Sequence, residues 1–356
     1  MKTPIVIALL SFAFSLPTTI GADQRPLVKP NAARQFAVLP AGVRFPEGVA
    51  VDPHAGDVYV GTFDLGGNNR LLRFGANGKL RGQIDFAATP LLGLSFDALR
   101  EEVYVANFGA SKIQRVPAGF ADGAIVEDVA DIPSVGAPAD RVVGNPDGSI
   151  DLISFGNAFP APNGLALDGA GNLWFSDSFQ GAIFRIPNVG GCAGPGCAVE
   201  LVLQDPLLAS AGFPPFGANG LALSHDELSL FVANTGDDRV LRVDLAGPEP
   251  VVSVFAEGVN GADGLAMGED GTLWVTANQA DQILGLDPNG RVVAELGEFL
   301  GLRRDGRVRG LLFPASLGVR GKQAFVTNLA LPLTDAEGDE PEEAVTRHSV
   351  SRLNLH

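Results

Sequence analysis

Through most of the chain, apolar and polar positions alternate with a period of two, in short runs that stop at Gly, Pro, Asn or Asp. No helical period interrupts them after the N-terminal segment, so the pattern predicts an all-β chain. The runs also repeat. Segments 46–52, 92–97, 162–168, 218–224 and 262–268 share one frame: a loop residue, Gly, then alternating apolar positions. The first reads Pro46-Glu47-Gly48-Val49-Ala50-Val51-Asp52 and the third Pro162-Asn163-Gly164-Leu165-Ala166-Leu167-Asp168. A sixth, degenerate copy opens at Pro314. A second apolar stretch ending in a small polar residue follows at 103–107, 173–177, 230–234, 273–278 and 324–328, and a third at 112–116, 182–186, 239–243 and 282–286. Where loops are short the copies lie about 45 residues apart, the size of a four-stranded propeller blade. Six copies predict a six-bladed β-propeller, one domain over 34–356. Segment 34–39 supplies the outer strand of the last blade, closing the ring and removing an edge.

This topology places chemistry. The residue before each Gly begins the innermost strand, so Glu47, Asn163, Asn219 and Asp263, from blades one, three, four and five, converge on the central opening. Leu92 and Ser316 stand in their place in blades two and six. Asn107, Asp177, Asn234, Asn278 and Asn328, each ending a second strand, are expected to form an outer ring on the same face and to bind substrate. Two carboxylates and two amide oxygens suit a hard cation such as Ca²⁺, which takes six to eight oxygens and would keep positions for water or substrate. Zinc would call for His or Cys. A turn preference of Asn-Gly and Asp-Gly, or a polar channel without metal, is the competing explanation; the turn preference accounts for Asn but poorly for Glu47.

Composition and charge narrow the partners. The formal net charge is -16 and no basic block exists, which argues against nucleic acid and anionic membrane surfaces. Lys2 followed by the apolar run 5–16 and the small residues Gly21 and Ala22 reads as a signal peptide over 1–22, which makes the protein exported, periplasmic or secreted. In that setting the only two cysteines, Cys192 and Cys197, are expected to close a small loop as a disulfide.

In the order Glu, Asn, Asn, Asp at the hub, the chain resembles the calcium-dependent six-bladed propellers of the SMP-30/gluconolactonase, paraoxonase and diisopropyl-fluorophosphatase group; its repeat frame is also that of NHL propellers. The resemblance implies that Glu47, Asn163, Asn219 and Asp263 hold a catalytic calcium and that the substrate is a small lactone or ester. It departs at histidine: His54 and His225 fall on the opposite face, and His348 and His356 near the last strand, so a central His base is not expected. Metal-assisted hydrolysis with Asp263 as base or nucleophile, beside Glu47, is the expected mechanism. An exported NHL-like binding module, a scaffold with a structural calcium, and a propeller lyase are the alternatives. Segment 206–218 is expected to form an apolar wall. Arg303, Arg304, Arg307 and Arg309 are expected either to recognise an anion or else to pair with the acidic loop 335–343 or simply be solvated; that loop is itself expected to be a mobile flap. The face covered by the insertion 119–161 is left open.

Overall fold

A computed structural model describes residues 26–355; the signal-like segment 1–22 lies outside them. Six antiparallel four-stranded sheets surround a central axis. With strands lettered A to D from the hub outwards, blade 1 comprises Pro46–Val51, Val58–Thr62, Asn69–Phe74 and Leu80–Ala87, and blade 4 comprises Ala218–Leu223, Ser229–Asn234, Arg239–Asp244 and Val251–Glu257. Each strand A packs against that of the next blade, and blade 6 (strand A, Pro314–Arg320) returns to blade 1. In that last blade the outer strand is Arg34–Val38, paired with Ser349–Asn354, which closes the ring as the repeat predicts. The buried strands are rich in β-branched and aromatic residues, and the largest buried side chains, including Tyr59, Tyr104, Phe175 and Trp274, fill the spaces between adjacent sheets. Some strands were not legible in sequence: Leu27–Lys29 adds in parallel to Val292–Leu296 on blade 5, and Arg141–Gly144 with Ile150–Ile153 and Phe299–Leu302 with Val308–Gly310 form two small ribbons outside the blades. Cys192 and Cys197 are disulfide-bonded.

One irregularity positions the site. In every blade the A–B ladder slips at the second and third residues of strand A: Pro46 pairs with Thr62 but Val49 with Val60, and the same bulge recurs in the other five. A bulge frees its residues from pairing and re-aims them. The freed pairs are Glu47-Gly48, Leu92-Gly93, Asn163-Gly164, Asn219-Gly220, Asp263-Gly264 and Ala315-Ser316. In blade six, therefore, Ala315 occupies the ligand position and Ser316 the glycine position, one residue away from the expected alignment. None of the five hub glycines has positive φ, so the turn explanation for Asn-Gly fails. Instead the blades crowd together there. A Cβ on Gly164 would lie 2.9 Å from Gly220 Cα, and one on Gly220 2.8 Å from Gly264 Cα. Hydroxyls of strand B complete the joint: Ser176 Oγ accepts from Gly164 N (2.8 Å) and donates to Asn219 O of the next blade (2.6 Å). Thr276 does likewise toward Ala315 O and Thr327 toward Glu47 O.

Candidate functional site

The bulges bring Glu47, Asn163, Asn219 and Asp263 together at the floor of one cavity. All four are buried; Glu47 is 3% exposed and Asp263 4%. The orientation of the two asparagines follows from counting protons. Ser178 Oγ donates its single hydrogen to Ala218 O (2.7 Å), so toward Asn163 it can only accept, and it takes Nδ2 at 3.0 Å. Thr235 Oγ1 donates to Ala262 O (2.7 Å) and accepts from Asn219 Nδ2 (2.9 Å). Each amide is thus locked with its nitrogen toward the blade, and its oxygen is the atom left for the cavity. Asp263 is fixed in the same manner: Asn278 Nδ2 donates to its Oδ2 (3.0 Å), while Oδ1 has no hydrogen-bond partner. Glu47 Oε2 is likewise buried without one.

Two buried carboxylates without a counter-charge resist ionisation. Burial, then the charge of Asp263, holds the Glu47 carboxyl well above the usual range. Burial pushes Asp263 up to about 7, against the opposing hydrogen bonds from Asn278 and Asn219. Such unpartnered buried oxygens are rare in folded proteins and call for an explanation. Among the described residues no three His, Cys, Asp or Glu side chains gather, so a nitrogen- or sulfur-rich zinc site has no basis. Two carboxylates completed by two oriented amide oxygens instead fit a hard divalent cation, calcium in particular.

The expected outer ring is corrected by the structure. Only Asn278 lines the cavity. Asp177 caps its own turn and the incoming loop by accepting from the amides of Ala161 (2.9 Å), Phe179 (3.1 Å) and Gln180 (2.9 Å). Asn234 donates to Leu207 O and Ala209 O, Asn328 accepts from Leu312 N, and Asn107 accepts from Ala110 N. These four staple the loop between blades or the turn after strand B. Replacing Asp177 by Ala should therefore leave three buried amides unpaired and lower stability by about 3 kcal/mol, measured by chemical denaturation, with substrate selectivity unchanged in the folded fraction.

The residues that do face the hub directly follow the last paired residue of strand B, at Phe63, Thr235, Asn278 and Leu329; Ser178, at the same place in blade 3, reaches Asn163 from behind. With Leu92, Pro214, Phe216, Phe313, Leu331 and Leu333 they build the wall. The expected contribution of segment 206–218 is thus seen in Pro214 and Phe216. Of the insertion 119–161, Glu127–Asp131 forms the outer strand of blade 2 and the part after it covers this same face: Val135 N reaches Gln180 Oε1 (2.6 Å) and the Phe159 ring lies 5.7 Å from that of Phe108. No arginine of 303–309 lines the cavity. Arg307 and Arg347 pair with Asp305, whereas Glu340 and Glu343 of the acidic loop accept backbone amides of that loop, holding a short turn at Pro341–Ala344. His348 is buried beside Phe45, outside the cavity; burial pushes it down to about 4, so it stays neutral.

Asp281 supports the wall by accepting from Phe313 N (2.7 Å), and burial raises its carboxyl to about 6. A carboxyl whose folded pKa is raised costs stability above that pKa, and the cost disappears as pH falls toward the unfolded value. Asp281→Asn, which keeps an acceptor for Phe313 N, should stabilise the protein by about 2 kcal/mol at pH 8. The gain should shrink steadily as denaturant titrations are repeated from pH 6 down to pH 4.

Residues 214–297, which include Phe216, Asn219, Thr235, Asp263 and Asn278, match the family model of the SMP-30/Gluconolactonase/LRE-like region. The chain carries an SMP-30/gluconolactonase-like region. No curated protein sequence matches the chain. Among solved structures, the calcium-binding protein regucalcin from Agrobacterium tumefaciens superposes with a TM-score of 0.61 at 15% identity, over 92% of this chain and 95% of that one. A gluconolactonase from Xanthomonas campestris gives 0.55 at 15% identity, over 91% and 89%. Virginiamycin B lyase from Staphylococcus aureus gives 0.54 at 16% identity, over 91% and 99%. At these identities the likeness shows the propeller fold. The SMP-30/gluconolactonase-like region spans blades 4 and 5, which bear Asn219 and Asp263.

Proposed function

We propose that this SMP-30/gluconolactonase-like propeller is a calcium-dependent hydrolase of lactones or related esters. The observation that carries the reading is the pair of buried, unpartnered carboxylate oxygens, Glu47 Oε2 and Asp263 Oδ1, beside two amides locked oxygen-inward at the floor of a closed-ended cavity. Glu47, Asn163, Asn219 and Asp263 would hold the ion. When bound, calcium supplies Lewis-acid polarisation of a carbonyl oxygen and stabilises the charge that develops on it. Asp263, anchored through Oδ2 by Asn278, is the group placed to take a proton from an attacking water. In the overall reaction the water oxygen joins the acyl carbon, the acyl C–O bond breaks, and the alcohol oxygen leaves with a proton. Apolar side chains above the floor exclude bulk water, which strengthens every charge interaction inside.

The test is hydrolysis of a panel of lactones and aryl esters by the purified protein, with calcium and with chelator. Turnover that disappears on chelation and returns with calcium supports the reading. A calcium-dependent rise in melting temperature with no turnover of any member makes the ion structural and the protein a binder or scaffold.

A further inference from the structure

The cavity is two-sided. Its polar groups lie on blades 3 to 5 and on Glu47, whereas blades 1, 2 and 6 present one continuous apolar cluster in which Phe63, Leu92, Phe313, Leu329, Leu331 and Leu333 pack together. The two blades that lack a ligand residue carry Leu92 and Ala315 at that position, so the ring itself is apolar on this side. Phe216 closes the top, and its ring meets Phe63 at 6.2 Å and Phe179 at 5.3 Å. From there Phe179 and Phe108, 5.9 Å apart, continue the apolar surface over blades 2 and 3 to the partly exposed Phe159. No Lys, Arg or His lines the cavity, and above the floor Thr235 Oγ1 and Asn278 Nδ2 already donate elsewhere, which leaves Asn278 Oδ1, buried without a partner, as a single side-chain acceptor there.

We propose that the substrate is a neutral lactone or ester bearing an unsubstituted alkyl or aryl chain, and not a polyhydroxylated sugar lactone. The proposal rests on the hydrolase reading and narrows it. The carbonyl sits on the polar floor and the chain lies along the Phe63–Phe216–Phe108 side. Each methylene taken from water onto that surface favours binding about fourfold. Asn278 Oδ1 can accept from one hydroxyl of a polyol; each of the others would lose water against phenylalanine or leucine without a new partner, which costs binding by a comparable or larger factor. An anionic substrate finds no counter-charge.

The experiment compares a δ-lactone carrying a pentyl tail with D-glucono-δ-lactone on the calcium-loaded full chain. The expected kcat/KM ratio favours the alkyl lactone by about 100-fold. Phe216→Asn, a change at a partly exposed position, should raise KM for the alkyl lactone about tenfold and narrow its advantage over the polyol lactone by the same factor, while Phe216→Leu keeps the preference. Equal rates, or a preference for the polyol, overturn the proposal and leave the hydrolase reading intact. If neither lactone is hydrolysed, the hydrolase reading fails, and calorimetric binding of the same two lactones decides: tighter binding of the alkyl lactone upholds an apolar-chain ligand, and equal or weaker binding overturns it.

Discussion

In the absence of calcium, Asp263→Asn melts higher than the parent protein, and calcium no longer raises its melting temperature. Both effects come from one cause. Without an ion, Glu47 and Asp263 face each other as buried acids, each with an oxygen that nothing satisfies. Turning one into an amide removes a charge from that pair and places a donor among acceptors, a gain of about 2 kcal/mol at neutral pH. The parent, by contrast, should gain about 2.7 kcal/mol at a hundredfold excess of calcium over its dissociation constant. Lactone hydrolysis should fall by at least about 100-fold in the variant. Glu47→Gln should behave in the same way, because its carboxylate shares the site. A variant that is destabilised without calcium and still responds to it would show that these acids serve the fold and not an ion.

Gly220→Ala should be among the most damaging single-methyl additions in the molecule. Its Cβ would arrive 2.8 Å from both Gly264 Cα and Leu265 N, backbone atoms of the next blade that cannot step aside without opening the ring. Overpacking of this kind costs about 3 kcal/mol. Because the carbonyl of Asp263 lies in the same joint, calcium affinity should weaken together with stability in thermal-shift titrations. Ser316 occupies the matching place in blade 6, where a side chain is already accommodated; Ser316→Gly should cost under about 1 kcal/mol. Equal tolerance at the two positions would mean that the blades are not held by this contact.

The architecture was legible because a propeller repeats its rule six times, and any one degenerate copy is corrected by the others. The four hub residues were legible for the same reason: Glu47, Asn163, Asn219 and Asp263 hold one position in the frame. What misled was register. The stretch 273–278 ends in Ala-Asn where 230–234 ends in Asn, and matching the asparagines groups Asn278 with Asn234. Strand pairing instead equates Ala277 with Asn234, since each lies opposite the first residue of its strand A. Asn278 therefore belongs with Ser178 and Thr235, the side chains that orient the hub residues. A pleated strand shows alternate faces to alternate residues, so a slip of one converts a staple into a lining group. The same slip put Ser316 in place of Ala315. The wall was harder to read, since Phe63, Phe216, Phe313 and Leu331 come from four separate loops with no shared spacing. Only Pro214 and Phe216 had a sequence signal, a Pro- and Phe-rich insertion next to a hub strand.

Calorimetric titration of the chelator-treated chain with calcium bears most directly on the hub. One ion per chain should bind in the parent, and none in Asp263→Asn, with the refolded propeller intact in both. A flat titration of the parent, or an undiminished one in the variant, would remove calcium from this site and the hydrolase reading with it.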